Sequence, residues 1–121
     1  MRILCIDDDL QIRSWLQRLL VLSGWEVEVA EHGRAGVAAY RAQPADVVLT
    51  DIVMPEQEGI ETIMQLRKEF PSVRIIAMSG GGSVAPRAYL LSAKTLGAKA
   101  ILEKPFSRDE LLAALAVAMA G

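Results

Sequence analysis

The chain has 121 residues, 52% of them apolar, which predicts one domain over residues 1–121 with several fully buried strands. The formal net charge of −2, without a basic cluster, argues against direct nucleic-acid binding, and no apolar stretch approaches the roughly 20 residues that span a membrane. The single cysteine, Cys5, excludes an internal disulfide and favours a reducing, cytoplasmic location.

Strands and helices alternate five times along the chain. The strands are short and apolar, and the helices are marked by helical spacing or by start and stop signals. In chain order we predict a strand at 3–6, a helix at 10–23, a strand at 25–30, a helix at 33–42, a strand at 47–51, a helix at 60–70, a strand at 73–78, a helix at 85–96, a strand at 100–102 and a helix from 107 to 119. This order predicts an α/β fold with an open, doubly wound parallel sheet and helices on both faces, because a closed barrel needs about twice the length.

Several residues mark where these helices begin and end. Asp8 or Asp9 can cap the first helix, and Gly24 can end it in the left-handed conformation. Ser107 and Glu110 have the spacing of a capping box at the start of the last helix. These signals mark both ends of the first predicted helix and the start of the last one.

Polar residues stand at the ends of four of the five predicted strands. They are Asp7 and Asp8 after the first, Asp51 after the third, Ser79 after the fourth and Lys104 after the fifth. Taken alone, Asp51 could equally cap a turn. The carboxyl ends of parallel strands meet at one edge of an open sheet, where ligands bind. We therefore expect these five side chains to form one site.

The chemistry of this set indicates phosphoryl transfer. Like-charged carboxylates about 4 Å apart repel by roughly 4 kcal/mol at an effective dielectric constant of about 20, and Mg²⁺ can offset that repulsion. A metal, the Lys104 ammonium and the Ser79 hydroxyl together suit transfer to an aspartate. Asp51 is the candidate nucleophile because it projects from the central strand, and Asp7 and Asp8 would hold the metal directly or through water.

Five motifs spread over essentially the whole chain resemble the receiver domain of two-component response regulators. They are Ile6-Asp7-Asp8-Asp9, Leu49-Thr50-Asp51-Ile52-Val53-Met54-Pro55, Glu58-Gly59, Ile76-Ala77-Met78-Ser79-Gly80 and Lys104-Pro105-Phe106. The resemblance implies a flavodoxin-like sheet with strand order 2-1-3-4-5. It also implies a phosphoacceptor switch in a phosphorelay, rather than an enzyme acting on a separate substrate.

The resemblance also implies a donor and a metal site. Asp51 would receive a phosphoryl group from a sensor histidine kinase or a phosphotransfer protein. Mg²⁺ would be held by the carboxylates of Asp8 and Asp51, by the backbone carbonyl of Val53 and, through a water molecule, by Asp7.

Two further residues receive roles by the same resemblance. Lys104 would pair with the phosphoryl oxygens, and Ser79 would move to hydrogen-bond one of them. The Lys104-Pro105 peptide bond is expected to be cis, as it usually is in the family.

Two alternatives remain open on the sequence. Many receivers carry a rotating Tyr or Phe three residues before the lysine, where this chain has Ile101, so the chain could be a degenerate receiver that binds partners without phosphorylation. An aspartate-nucleophile phosphohydrolase is less favoured. It would need an acid–base carboxylate two residues after Asp51, and that position is Val53.

The last helix suggests a protein interface. Beyond Glu110 it carries no charge, and an uncharged outer face can mark a contact surface. With the preceding helix at 86–96 it could form a homodimer or a partner surface. The output is expected to lie with a downstream protein target or output domain, without direct nucleic-acid or membrane contact.

Overall fold

A computed structural model describes residues 1–52, 59–79 and 86–120, with side chains in the last range described from residue 91. The strands are β1 (Arg2–Ile6), β2 (Glu26–Ala30), β3 (Val47–Asp51), β4 (Ile75–Ser79) and β5 (Ala100–Glu103). The helices are α1 (Leu10–Leu22), α2 (Gly33–Ala42), α3 (Gly59–Glu69), α4 (Pro86–Thr95) and α5 (Arg108–Met119).

All five strands are parallel and form one sheet in the order β2-β1-β3-β4-β5. The predicted open, doubly wound α/β fold and its flavodoxin-like strand order are therefore confirmed. The central strand β3 is buried along its whole length, which explains why its sequence is apolar at consecutive rather than alternate positions.

The sheet separates two apolar cores. One lies between the sheet and helices α1 and α5, and the other between the sheet and helices α2, α3 and α4. Strand β3 contributes side chains to both cores, because Val47 and Leu49 point to the first core and Val48 points to the second. On α1, the fully buried Leu16 and Leu20 each contribute roughly 1.5–3 kcal/mol by leaving water.

The predicted caps are present. Asp9, rather than Asp8, caps α1 by accepting hydrogen bonds from the amides of its first turn. Gly24 follows that helix with a φ of +93°, a left-handed conformation that glycine adopts without strain. Ser107 and Glu110 form both hydrogen bonds of the capping box before α5.

The strand boundaries differ from the expected ones by one or two residues. Trp25 precedes β2 because its amide donates to the Leu20 carbonyl and closes the end of α1. Val73 precedes β4 because its amide donates to Phe70 within a turn. At the other ends, β4 includes Ser79 and β5 includes Glu103. Among the described helices, none is long and apolar enough to cross a membrane.

Cys5 provides a test of the packing on the α1/α5 side of the sheet. It is fully buried in that core, and burial, with a smaller effect from the charge of Asp7, raises the pKa of its thiol to about 12. We predict that at pH 8 the native protein reacts with Ellman's reagent orders of magnitude more slowly than the urea-unfolded chain, because the reactive thiolate is scarce and enclosed. Rapid stoichiometric labelling of the native protein would contradict this packing.

The same shift has a defined effect on stability. The thiol pKa is higher in the folded state than its usual value of 9.0, so the neutral thiol's stabilising contribution is fully present below about pH 9. It is lost as the pH rises from there towards about 12.

Candidate functional site

The sheet register brings the marked strand ends together. Ile6 of β1 pairs with Thr50 of β3, so the residues that come next, Asp7 and Asp51, stand side by side at the carboxyl edge of the sheet. Asp51 in turn pairs with Met78 of β4, which places Ser79 at the same edge. The predicted gathering of polar strand ends therefore follows from parallel pairing alone.

Lys104 bridges two of the carboxylates. Its Nζ lies 2.6 Å from Oδ2 of Asp7 and 2.8 Å from Oδ2 of Asp51. Its backbone amide donates to the Ser79 carbonyl at 2.8 Å, which anchors the start of the side chain beside β4. The Lys104-Pro105 peptide bond is cis, as expected.

The charge on Lys104 is stabilised by its partners. Burial disfavours the ammonium, but the hydrogen bonds and negative charges of Asp51 and Asp7 outweigh it, so the pKa of Lys104 is raised above its ordinary value. The ammonium is therefore charged at neutral pH and offsets part of the repulsion between the two acids. Removing one partner from such a buried arrangement typically costs about 3–5 kcal/mol.

Three carboxylates converge beside Lys104. Oxygens of Asp7, Asp8 and Asp51 lie within 4.8 Å of one another, with Asp7 fully buried, Asp51 5% exposed and Asp8 facing solvent. Hard oxygen ligands with one open side suit a divalent cation such as Mg²⁺, which keeps several of its waters. The acidic cluster could therefore hold a metal ion.

The third acid of the Asp7-Asp8-Asp9 run has a different role. Asp9 directs its carboxylate to the amides that begin α1, while its own amide donates to Oδ1 of Asp7 at 2.9 Å. Asp9 therefore orients Asp7 through its backbone. The sequence predicted that Asp8 or Asp9 would cap the helix, and the structure assigns the cap to Asp9.

Ser79 is buried at the end of β4, with 1% of its surface exposed. Within the described part of the chain its Oγ has no hydrogen-bond partner. A buried hydroxyl without a partner costs roughly 1–3 kcal/mol, which makes such a group a candidate for contact with a ligand.

Arg13 was missed by sequence reasoning. From α1 its Nη1 donates to the backbone carbonyl of Asp7 at 2.7 Å and so supports the turn that carries the acids. The spacing of six residues between Asp7 and Arg13 is only a weak indication of this contact. An arginine one turn into a helix could equally extend into solvent.

Two other sequence predictions have different outcomes. Val53, the expected source of a metal-binding carbonyl, lies outside the described residues. Ile101 is half-buried on β5 and packs against the core on the α2–α4 side of the sheet. Its side chain is therefore a packing group.

The chain is similar in sequence to known response regulators. A model of the response regulator receiver domain family matches residues 3–116. Response regulator MprA of Mycolicibacterium vanbaalenii is 38% identical over 112 residues, which cover 93% of this chain and 47% of the relative. MprA of Mycobacterium avium is 36% identical over 113 residues, covering 93% and 48%. The chain thus spans about half the length of these curated relatives.

Solved structures are similar over nearly the whole chain. A response regulator receiver domain protein from Clostridium thermocellum superposes with a TM-score of 0.89 at 29% identity, covering 98% of this chain and 94% of that one. The receiver domain of NtrX from Brucella abortus has a TM-score of 0.90 at 27% identity, covering 98% of each chain. The chain therefore belongs to the response regulator receiver domain family of two-component signalling proteins.

Proposed function

We propose that residues 1–121 form a single phosphoacceptor domain of a two-component phosphorelay. Asp51 takes a phosphoryl group from a sensor histidine kinase or a phosphotransfer protein, and the modified domain changes its binding to a downstream protein or output domain. The observation that carries the proposal is the partly buried ammonium of Lys104, which is held between Asp51 and Asp7, two members of the acidic cluster. A nucleophile, a positive charge and metal ligands are then together at one edge of the sheet.

Asp51 supplies the nucleophile. An Oδ atom attacks the phosphorus, an aspartyl phosphate bond forms, and the bond from phosphorus to the donor's histidine nitrogen breaks. The electron pair of that bond stays with the imidazole, which takes up a proton. The donor is consumed once for each transfer, so the chain assists its own modification rather than turning over a separate substrate.

The acids provide the metal site in this proposal. Asp8 and Asp51 would hold Mg²⁺ through their carboxylates and Asp7 would do so through a water molecule, with the backbone carbonyl of Val53, which lies outside the described residues, as a further ligand. When bound, Mg²⁺ neutralises part of the negative charge of the carboxylates and the incoming phosphoryl group.

Lys104 and Ser79 complete the site. The Lys104 ammonium, already 2.8 Å from Asp51, shifts onto a phosphoryl oxygen as negative charge arrives. The Ser79 hydroxyl, which is buried and lacks a partner among the described residues, donates to another phosphoryl oxygen. That contact would convert a local covalent change into a movement at the end of β4.

The degenerate receiver is the second candidate. Ile101 favours it, because a packed isoleucine cannot rotate as the family's aromatic residue does. The intact set of Asp7, Asp51 and Lys104 favours phosphorylation instead. A phosphohydrolase is disfavoured by the apolar Val53 two residues after Asp51.

We predict that incubation with acetyl phosphate and Mg²⁺ adds one phosphoryl group to the wild-type chain, measured by intact-mass spectrometry. The addition should disappear in Asp51→Asn and when Mg²⁺ is chelated. Asp9→Asn is the matched control, because it removes a neighbouring charge while asparagine still caps a helix well. Unmodified wild type, with beryllofluoride also failing to bind, would support the degenerate receiver.

We predict that Lys104→Met increases Mg²⁺ affinity while slowing phosphorylation. The ammonium contacts two carboxylates that the metal needs, so removing it should strengthen metal binding by about tenfold, equivalent to about 1.4 kcal/mol. Isothermal titration calorimetry measures the affinity, and Lys94→Met, at an exposed position of α4, controls for the loss of one positive charge. Weaker or unchanged Mg²⁺ binding in Lys104→Met would contradict the competition.

We propose that α4 and α5 also form a homodimer surface. Val117 on α5 and Leu91 on α4 are 57% and 51% exposed, and both helices pack beside the edge strand β5. Val117→Glu should abolish a dimer formed by the beryllofluoride-bound protein in light-scattering measurements, while Leu22→Glu on α1 should not. A strictly monomeric protein at high concentration in both states would refute this proposal.

A further inference from the structure

The peptide that follows Asp51 is enclosed from two sides. The Thr50 hydroxyl donates to the Asp51 carbonyl oxygen at 3.0 Å, with both residues buried. Gly59, the first residue of α3, lies against the same group and donates from its amide to the Ile52 carbonyl at 3.2 Å. The backbone carbonyl of Asp51, the proposed acceptor, is therefore contacted by Thr50 from its own strand and by Gly59 from the following helix.

The contact at Gly59 leaves no room for a side chain. A Cβ atom added there would stand 2.1 Å from the Asp51 carbonyl oxygen and 2.2 Å from the Ile52 Cα atom. Real Cβ atoms essentially never approach other atoms within 3.0 Å, so α3 or the strand end would have to move by roughly 1 Å.

The strand end cannot absorb that movement freely. The Ile52 amide donates to the Met78 carbonyl at 3.0 Å, which joins this peptide to β4. On the other side, the Asp51 carboxylate is 2.8 Å from the Lys104 ammonium. A displaced peptide would therefore change the position of the carboxylate relative to Lys104.

We propose that Gly59 and Thr50 are positioning residues for Asp51. Gly59 lets the start of α3 pack directly on the acceptor's peptide, and Thr50 holds the carbonyl of that peptide with its hydroxyl. The Asp51 carboxylate is thereby directed towards the other two acids of the cluster and towards Lys104. The consequence for catalysis rests on the proposed phosphoacceptor function, whereas the consequence for the carboxylate's position does not.

Gly59→Ala tests the helix contact. We expect its phosphorylation by acetyl phosphate at saturating Mg²⁺ to slow by about 10²-fold, because a misplacement of about 1 Å can cost that much. Gly36→Ala is the matched control. It is also buried in a helix and its Cβ would stand 2.2 Å from a neighbour, but that neighbour is the end of the Ile6 side chain rather than the backbone of Asp51 or Ile52. Gly36→Ala should lower the urea midpoint without a comparable loss of rate.

Thr50 supplies an independent pair of variants. Thr50→Val removes the donor at nearly the same volume, and we expect a slowing of about fivefold from the loss of one hydrogen bond. Thr50→Ser keeps the hydroxyl and should retain the wild-type rate. This pair decides the question if Gly59→Ala does not fold.

The ¹³C resonance of the Asp51 carboxyl group provides a readout that needs no phosphoryl transfer. It should shift in Gly59→Ala and Thr50→Val and stay at its wild-type position in Gly36→Ala and Thr50→Ser. A folded Gly59→Ala with the wild-type rate and resonance, or a Thr50→Val indistinguishable from Thr50→Ser, would overturn the proposal. If the wild type is not phosphorylated at all, the proposed function is refuted. The ¹³C resonance of Asp51 in the four variants then tests by itself whether Gly59 and Thr50 position the carboxylate.

Discussion

The contact of Lys104 with two buried carboxylates is the interaction on which the rest of the site depends. Asp7 follows β1 and Asp51 ends the neighbouring strand β3, so parallel pairing places the two acids side by side although both carry negative charge. Lys104 directly follows β5, which β4 separates from β3, so its side chain must cross the end of β4 to reach Asp51. The small Ser79 stands at that crossing, and its carbonyl accepts the Lys104 amide.

Gathering carboxylates and an ammonium at one edge of the sheet contributes little to stability but provides the groups that phosphoryl transfer needs. Apolar residues of similar volume often stabilise a protein as well as a buried ion pair does, so carboxylates gathered at a strand edge are better explained by function than by folding. In the proposed switch, Mg²⁺ would neutralise part of the negative charge that Lys104 balances in the unmodified state, and the Lys104 ammonium would contact the phosphoryl group on Asp51. Thr50 and Gly59 hold the acceptor's peptide still while those partners change.

The sequence was sufficient to predict the fold and which polar strand-end residues meet at the carboxyl edge of the sheet, because the signals involved are local. Asp51 directly follows a buried apolar strand, and Gly24 directly follows a helix. The hydrogen bonds that orient the site leave a weaker signal in the sequence, although their partners lie only two to six residues apart. The sequence left open whether Asp8 or Asp9 caps α1, and it did not indicate that Arg13 would support the Asp7 carbonyl. The strand boundaries were missed for the same reason, since hydrogen bonds across turns rather than propensity determine them.

The central claim is that Lys104 exchanges its carboxylate partners for a phosphoryl group on Asp51. A crystal structure with Mg²⁺ and beryllium fluoride tests it most directly. We predict beryllium bonded to an Asp51 carboxylate oxygen, the metal among the acids, and Lys104 Nζ hydrogen-bonded to a fluorine instead of bridging Asp7 and Asp51. A structure in which Lys104 still bridges both carboxylates, with no beryllium on Asp51, would contradict it.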